Sequence, residues 1–315
     1  MRILITGGTG YLGGRLAQYL FSNTSSTIIL GTRNKITKLD WLPQVQVVNT
    51  LWHSEAELEK ICFEIDIVIH LAGMNAIDCS SNPLLALEVN GLFTARLLQS
   101  SIKQNVKRFI YISSAHIYDN SLRGKITEQS PSNNLHPYAT SHRVGEDAVR
   151  SAHFKSEIEG VVIRLSNSFG APTHIDTNCW SLVTNDLCRQ ALDSGHMILK
   201  VQKMQRRDFI SITDFCRAIE HLINLNTSLL NDGLFNIGGE WSPTIIEVAK
   251  ILSERVNFLT DKEITIKSMN LEINSAPPRL DYDIAKIKST GFELRNHRES
   301  EFDNLIRFCK KCFGV

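Results

Sequence analysis

Glycines stand at positions 7, 10 and 13 of the run Gly7-Gly8-Thr9-Gly10-Tyr11-Leu12-Gly13, after the apolar stretch Arg2 to Thr6 and ahead of an amphipathic one. That spacing allows a tight turn, a bare backbone beside a pyrophosphate, and close packing of a helix on the preceding strand. The helix start adds unpaired N–H groups and the positive end of its dipole. The chemistry is dinucleotide binding, and the flanking strand and helix set this run apart from an ordinary glycine turn. The next apolar stretch, Thr27 to Leu30, runs into Gly31-Thr32-Arg33, where an NAD site usually places a carboxylate for the ribose 2′-hydroxyl. Arg33 matches a 2′-phosphate instead. NADP is therefore the favoured cofactor and NAD the second, with a solvated loop charge as the plainer account of Arg33.

Such a loop needs a sheet behind it. Short β-branched runs (Arg2 to Thr6, Thr27 to Leu30, Val45 to Val48, Ile65 to Leu71, Arg108 to Ser113, Gly160 to Leu165) alternate with helical stretches at Gly13 to Phe21, Pro83 to Gln104 and Tyr138 to Phe154. Continuous apolar strands separated by helices form a parallel sheet buried on both faces. The expected fold is α/β: a Rossmann-type doubly wound parallel sheet with a smaller, interleaved C-terminal substrate lobe. Residues 1–165 form the dinucleotide-binding domain, to which the strand-helix unit at 207–226 returns. Residues 166–206 and 227–315 form the substrate-binding lobe, with a helix around Trp180 to Ser194.

The chain has 315 residues, 43% hydrophobic and 21% charged, enough for a large core. With 34 Lys plus Arg against 33 Asp plus Glu, no global field attracts nucleic acid or a membrane surface, so an anionic ligand must meet a local site. No apolar run approaches membrane-spanning length, and no signal peptide precedes the first strand. Seven scattered cysteines fit a reducing compartment, and a cytoplasmic location is expected. Cys309 and Cys312 lack two further ligands for a metal, so helix packing explains them better.

Several ordered motifs resemble the extended short-chain dehydrogenase/reductases, in their NAD-dependent epimerase/dehydratase branch acting on nucleotide sugars. They are the glycine loop, Asp66-Ile67-Val68-Ile69-His70-Leu71-Ala72-Gly73, Val89-Asn90-Gly91, Ser113-Ser114-Ala115-His116-Ile117-Tyr118 and Pro137-Tyr138-Ala139-Thr140-Ser141-His142. The match continues through Arg164 to Gly170, Arg206-Arg207-Asp208, Phe235 to Gly239 and Pro278-Arg279-Leu280-Asp281. The resemblance implies hydride exchange between a nicotinamide and a sugar carbon, with Tyr138 as acid/base and Ser114 sharing its hydrogen bond. It implies cofactor contacts from Gly7, Gly10, Tyr11, Leu12, Gly13, Arg33, Leu71, Ala72, Gly73, Asn90, Tyr138 and His142. The substrate contacts it implies are Asn167, Arg207 and Arg279, the two arginines serving the diphosphate. Relatives often pair through two long helices, which here would join Pro83 to Gln104 with Tyr138 to Phe154 in a homodimer.

One position departs from the family. Four residues after the tyrosine, where a lysine normally lowers the phenol's pKa and contacts the ribose, stands His142, mostly neutral at pH 7. Arg143 projects about 100° away on a helix and cannot simply replace it. His142 is a working substitute, a ribose contact only, or the mark of a silent cofactor-binding regulator. The dehydratases' Asp-Glu pair is replaced by Ala115-His116, which argues against dehydration. His116 is either a proton-transfer group or a hydrogen-bonded wall residue. Asn90 reads equally as a helix cap. Asp208 and Asp214 read as braces, and Trp180 and Trp241 as core in preference to base-stacking platforms. The expected activity is reduction of a 4-keto nucleotide sugar, with C4 epimerisation as the alternative.

Overall fold

A computed structural model describes residues 1–34, 36, 38–200, 204–268 and 277–314. Seven strands form one parallel sheet, ordered from edge to edge Leu234–Ile237, Glu159–Leu165, Arg108–Ser114, Ile67–His70, Arg2–Thr6, Thr27–Thr32 and Gln46–Asn49. The strand alternation sorts side chains between two faces. Ile3, Ile5, Ile110 and Ile112 join the core under helices Tyr11–Asn23 and Ile212–Asn224. Leu4, Phe109 and Tyr111 face helices Glu55–Cys62, Phe93–Lys103 and Pro137–Phe154. The chain reverses direction across the sheet at Arg2–Thr6 and Ile67–His70, which are paired in register from Ile3↔Ile67 to Thr6↔His70. Open α/β sheets bind ligands at the carboxyl ends beside such a crossing point.

A second core gathers Phe169, Leu187, Met197, Phe209, Val248, Leu252, Phe302 and Leu305 from helices Val183–Ser194, Ile245–Thr260 and Arg298–Phe313 and the small strands between them. Helix Ile212–Asn224 packs in the first core, and its strand, Phe209–Ser211, pairs with Asn167–Phe169 outside the central sheet. The strand that completes that sheet is Leu234–Ile237, from a stretch expected wholly in the second lobe. A four-residue run broken by Asn236 is too short a signal to separate from the mixed pattern around it. Among the described residues no helix is long and apolar enough to cross a membrane.

The predicted helix Pro83 to Gln104 is interrupted. It begins at Pro83–Ala86 with Asn82 as its cap, widens into a π-turn at Leu87–Leu92, and resumes as Phe93–Lys103. Asn90 lies inside the π-turn rather than capping a helix, and it is almost wholly buried. Its side chain accepts from Met74 N–H at 2.8 Å and donates to Ser141 Oγ at 3.0 Å, while its carbonyl accepts from Thr94 Oγ1 at 2.7 Å. The wide turn and the inward amide that ties two neighbouring segments thus occur at the same place.

Candidate active site

The glycine loop is shaped by backbone contact. Gly7 has φ +69°, a left-handed conformation, and a Cβ there would sit 2.8 Å from Ala72 N and 2.9 Å from Leu71 C. A Cβ on Gly13 would meet Gly7 O at 2.3 Å. The loop is thus pressed against the Leu71-Ala72 segment on one side and its own helix on the other. Gly10 precedes helix Tyr11–Asn23 with no side-chain cap, and no acid occupies the first turn. Those features leave N–H groups and a positive helix end for an anion, so the residues fit a dinucleotide's pyrophosphate. Tyr11 turns its hydroxyl to Gly170 O at 3.0 Å and Leu12 packs on the core, so what they offer a cofactor is backbone. Gly31 is confined by Thr50, whose Cγ2 would lie 2.9 Å from an added Cβ, and Arg33 is exposed just beyond the strand.

Helix Pro137–Phe154 starts with proline in its first turn and with His136 as its cap, Nδ1 accepting from Tyr138 N–H at 3.1 Å. The other ring nitrogen of His136 is 2.8 Å from Ser80 Oγ. The helix places Tyr138 beside Ser114 at the end of strand Arg108–Ser114. Burial raises the Tyr138 phenol above its ordinary pKa, and the hydrogen bond shared with Ser114 pulls it partly back. One turn on, the His142 ring meets Tyr138 edge-on with centroids 4.4 Å apart. His142 is 7% exposed, its Nδ1 lies 2.8 Å from Tyr111 Oη, and burial holds it down to about 4. It is therefore uncharged at neutral pH. Arg143 does not compensate, since its guanidinium turns away to the Ser132 carbonyl.

On the second-lobe side His116, held down to about 4 by burial and by Arg207, is drawn upward by a hydrogen bond with Asn167. Asn167 Nδ2 donates to Asp208 O at 3.0 Å. Arg207 contacts no carboxylate among the described residues, and its buried Nε has no partner. A guanidinium so placed fits an anionic ligand. His116, Asn167 and Arg207 thus converge. Arg279 is exposed beside strand Leu280–Tyr282, and no contact among the described residues joins it to them.

Several side readings resolve as structure. Asp208 accepts from Gly239 N at 2.9 Å and Trp241 N at 3.0 Å, and Asp214 binds Ser211, Arg217 and Arg295. Trp241 packs with Phe169, Phe209 and Phe302, and Trp180 with Phe308 and Phe313. Cys309 lies in the second core. The residues that sequence left unnamed are Ser80, Tyr111 and His136. His136 carried a usable signal, because a polar residue directly before Pro137 at a helix start is a cap candidate. Tyr111 sits mid-strand in an apolar run and gave none.

Residues 3–238 match the model of the NAD dependent epimerase/dehydratase family. A Methanocaldococcus jannaschii protein assigned as a UDP-glucose 4-epimerase is 27% identical over 294 residues, covering 92% of each chain. A dTDP-glucose 4,6-dehydratase of Actinoplanes is 25% identical, covering 90% of this chain and 92% of its own. Among solved structures, UDP-glucuronic acid 4-epimerase from Bacillus cereus, in complex with NAD, superposes with a TM-score of 0.82 at 20% identity over 99% of this chain and 97% of its own. That complex holds NAD, so the NADP preference drawn from Arg33 gains no support from it. The similarity spans both lobes, and the chain belongs to the NAD-dependent epimerase/dehydratase family, whose relatives found here are nucleotide-sugar epimerases and dehydratases.

Proposed function

We propose that this protein reduces the C4 carbonyl of a nucleotide-linked keto sugar. The observation that carries the reading is the uncharged surrounding of Tyr138: the group one turn on is a buried neutral imidazole, and no cation is among the groups that shift the phenol. Bound at the glycine loop, a reduced nicotinamide dinucleotide supplies the hydride. Tyr138 keeps its proton at neutral pH and donates it to the sugar oxygen, with Ser114 holding the same oxygen. Oxidising a hydroxyl needs the phenolate instead, and nothing here favours that form. Gly7, Gly10 and Gly13 and the free helix start would hold the pyrophosphate, with Leu71, Ala72, Gly73 and Asn90 forming the neighbouring wall. Arg207, with Arg279 near the lobe edge, serves the substrate diphosphate, Asn167 the sugar, and His116 the wall facing it. NAD(H) is the proposed cofactor, because the NADP reading rests on Gly31 and Arg33 alone and the Bacillus cereus 4-epimerase of the same fold was solved with NAD.

The second reading is C4 epimerisation, favoured by the 4-epimerases among the relatives and neighbours. The deciding assay mixes purified protein with NADH or NADPH and a panel of 4-keto and 4-hydroxy nucleotide sugars. Oxidation of the dinucleotide by a 4-keto sugar, lost in Tyr138→Phe, supports reduction. Interconversion of 4-epimers without net oxidation supports the epimerase. Dinucleotide binding with neither outcome between pH 6 and 9 overturns both and leaves a regulator.

A further inference from the structure

We propose that Tyr111 is a positioning residue that fixes the tautomer of His142, leaving Nε2 as the ring's single hydrogen-bond donor and making it available to a bound dinucleotide. The inference rests on the functional reading above only for the identity of that ligand. It comes from proton accounting in a buried network.

Tyr111 Oη carries one hydrogen; its short acceptor is His142 Nδ1 at 2.8 Å, with the Asn90 carbonyl at 3.4 Å and the Thr94 hydroxyl as the other groups it can bond. The carbonyl already accepts from Thr94 Oγ1 at 2.7 Å, and that hydroxyl is also engaged by His70 Nε2 at 3.0 Å. If His142 carried its hydrogen on Nδ1, the phenol would have to send its own to the occupied Asn90 carbonyl at 3.4 Å or to the Thr94 hydroxyl already engaged by His70, giving up the 2.8 Å acceptor. If the phenol donates to Nδ1, every hydrogen has a short acceptor, and the remaining ring hydrogen lies on Nε2. That nitrogen makes no hydrogen bond among the described residues, and the Cε1 edge beside it faces Gly73, lying 3.9 Å from a Cβ built there. A neutral ring with one oriented donor keeps the contact-making half of an ammonium's role and drops its charge.

The sequence makes room for this arrangement. Tyr111 and His142 lie 31 residues apart, on a central strand and on the facing helix. Between them Gly145 is one turn below His142, and a Cβ there would lie 2.8 Å from both Cζ and Oη of Tyr111. Any larger residue displaces the phenol from the imidazole.

The wild-type protein, selectively labelled with ¹⁵N-histidine, tests the tautomer directly. The His142 resonances are identified by their absence in His142→Gln, and the nitrogen shifts should report a hydrogen on Nε2 alone. Tyr111→Phe should give mixed tautomers, and Gly145→Ala the same by a different route. NADH titration by fluorescence supplies the second readout: Tyr111→Phe should weaken binding about twofold, as expected when only about half the rings hold the competent tautomer, yet change nothing further when added to His142→Lys. A purely structural role would cost the same in both backgrounds. A hydrogen on Nδ1 in the wild type, or equal losses in the two backgrounds, would overturn the proposal. Neither readout uses a sugar, so failure to find turnover would sink the functional reading and leave this one standing.

Discussion

The neutrality of His142 has a consequence for folding that can be measured without substrate. Burial places its pKa near 4 in the native state against about 6.5 in the unfolded chain. Above pH 6.5 both states hold the neutral ring, and its full contribution to stability is present. As pH falls from 6.5 towards 4 the unfolded chain takes up a proton that the native state refuses, so stability is lost across that window. Between pH 7 and pH 5 this single site removes about 2 kcal/mol, since each pH unit below 6.5 is worth ~1.4 kcal/mol. His70 and His116, lowered to about 3 and about 4 by burial, add losses in the same direction. Urea unfolding of wild type and His142→Gln at the two pH values isolates the term, because glutamine can still bond to Tyr111 but does not titrate. The variant should lose about 2 kcal/mol less than wild type on acidification. Equal losses would mean that His142 is charged, or solvated, in the native state, and the reading of Tyr138 as a standing acid would fall with it.

Three other outcomes are expected. Arg207→Gln should raise KM for a nucleotide sugar by about tenfold or more while leaving NADH binding intact, a split read by steady-state kinetics beside fluorescence titration. Gly13→Ala should abolish dinucleotide binding, because its methyl would meet Gly7 O at 2.3 Å, and calorimetric titration with NADH would reveal it. Leu84 and Val144 are 80% and 44% exposed, on helices Pro83–Ala86 and Pro137–Phe154 within the two stretches expected to pair. If a homodimer forms there, Leu84→Glu with Val144→Glu should yield monomers by light scattering.

Much of the fold was legible because it is written locally. The strands at Arg2–Thr6 and Arg108–Ser114 are runs of apolar residues, and the glycine loop carries its own steric signature in three positions. What escaped depends on distant partners. The π-turn coincides with the Asn90 bonds to Met74 and Ser141, and no helical periodicity encodes those distant partners. Leu234–Ile237 is a sheet strand because Glu159–Leu165 offers it an edge. In the site, Ser114, Tyr138, His142, His116, Asn167 and Arg207 were all singled out from motif positions, yet the partner that orients His142 lies in a strand whose neighbours are plain core.

The π-turn at Leu87–Leu92 also sets how this stretch can change over evolutionary time. Removing one residue from it would let the chain run as an unbroken α-helix. Because the wide turn absorbs one residue, the flanking helices would keep their phase, and the loss would fall on the turn that aims the Asn90 amide inward. The inward amide thus hangs on one residue of chain length: a deletion here should cost the contacts to Met74 and Ser141 while leaving the outer face of the helices where it is.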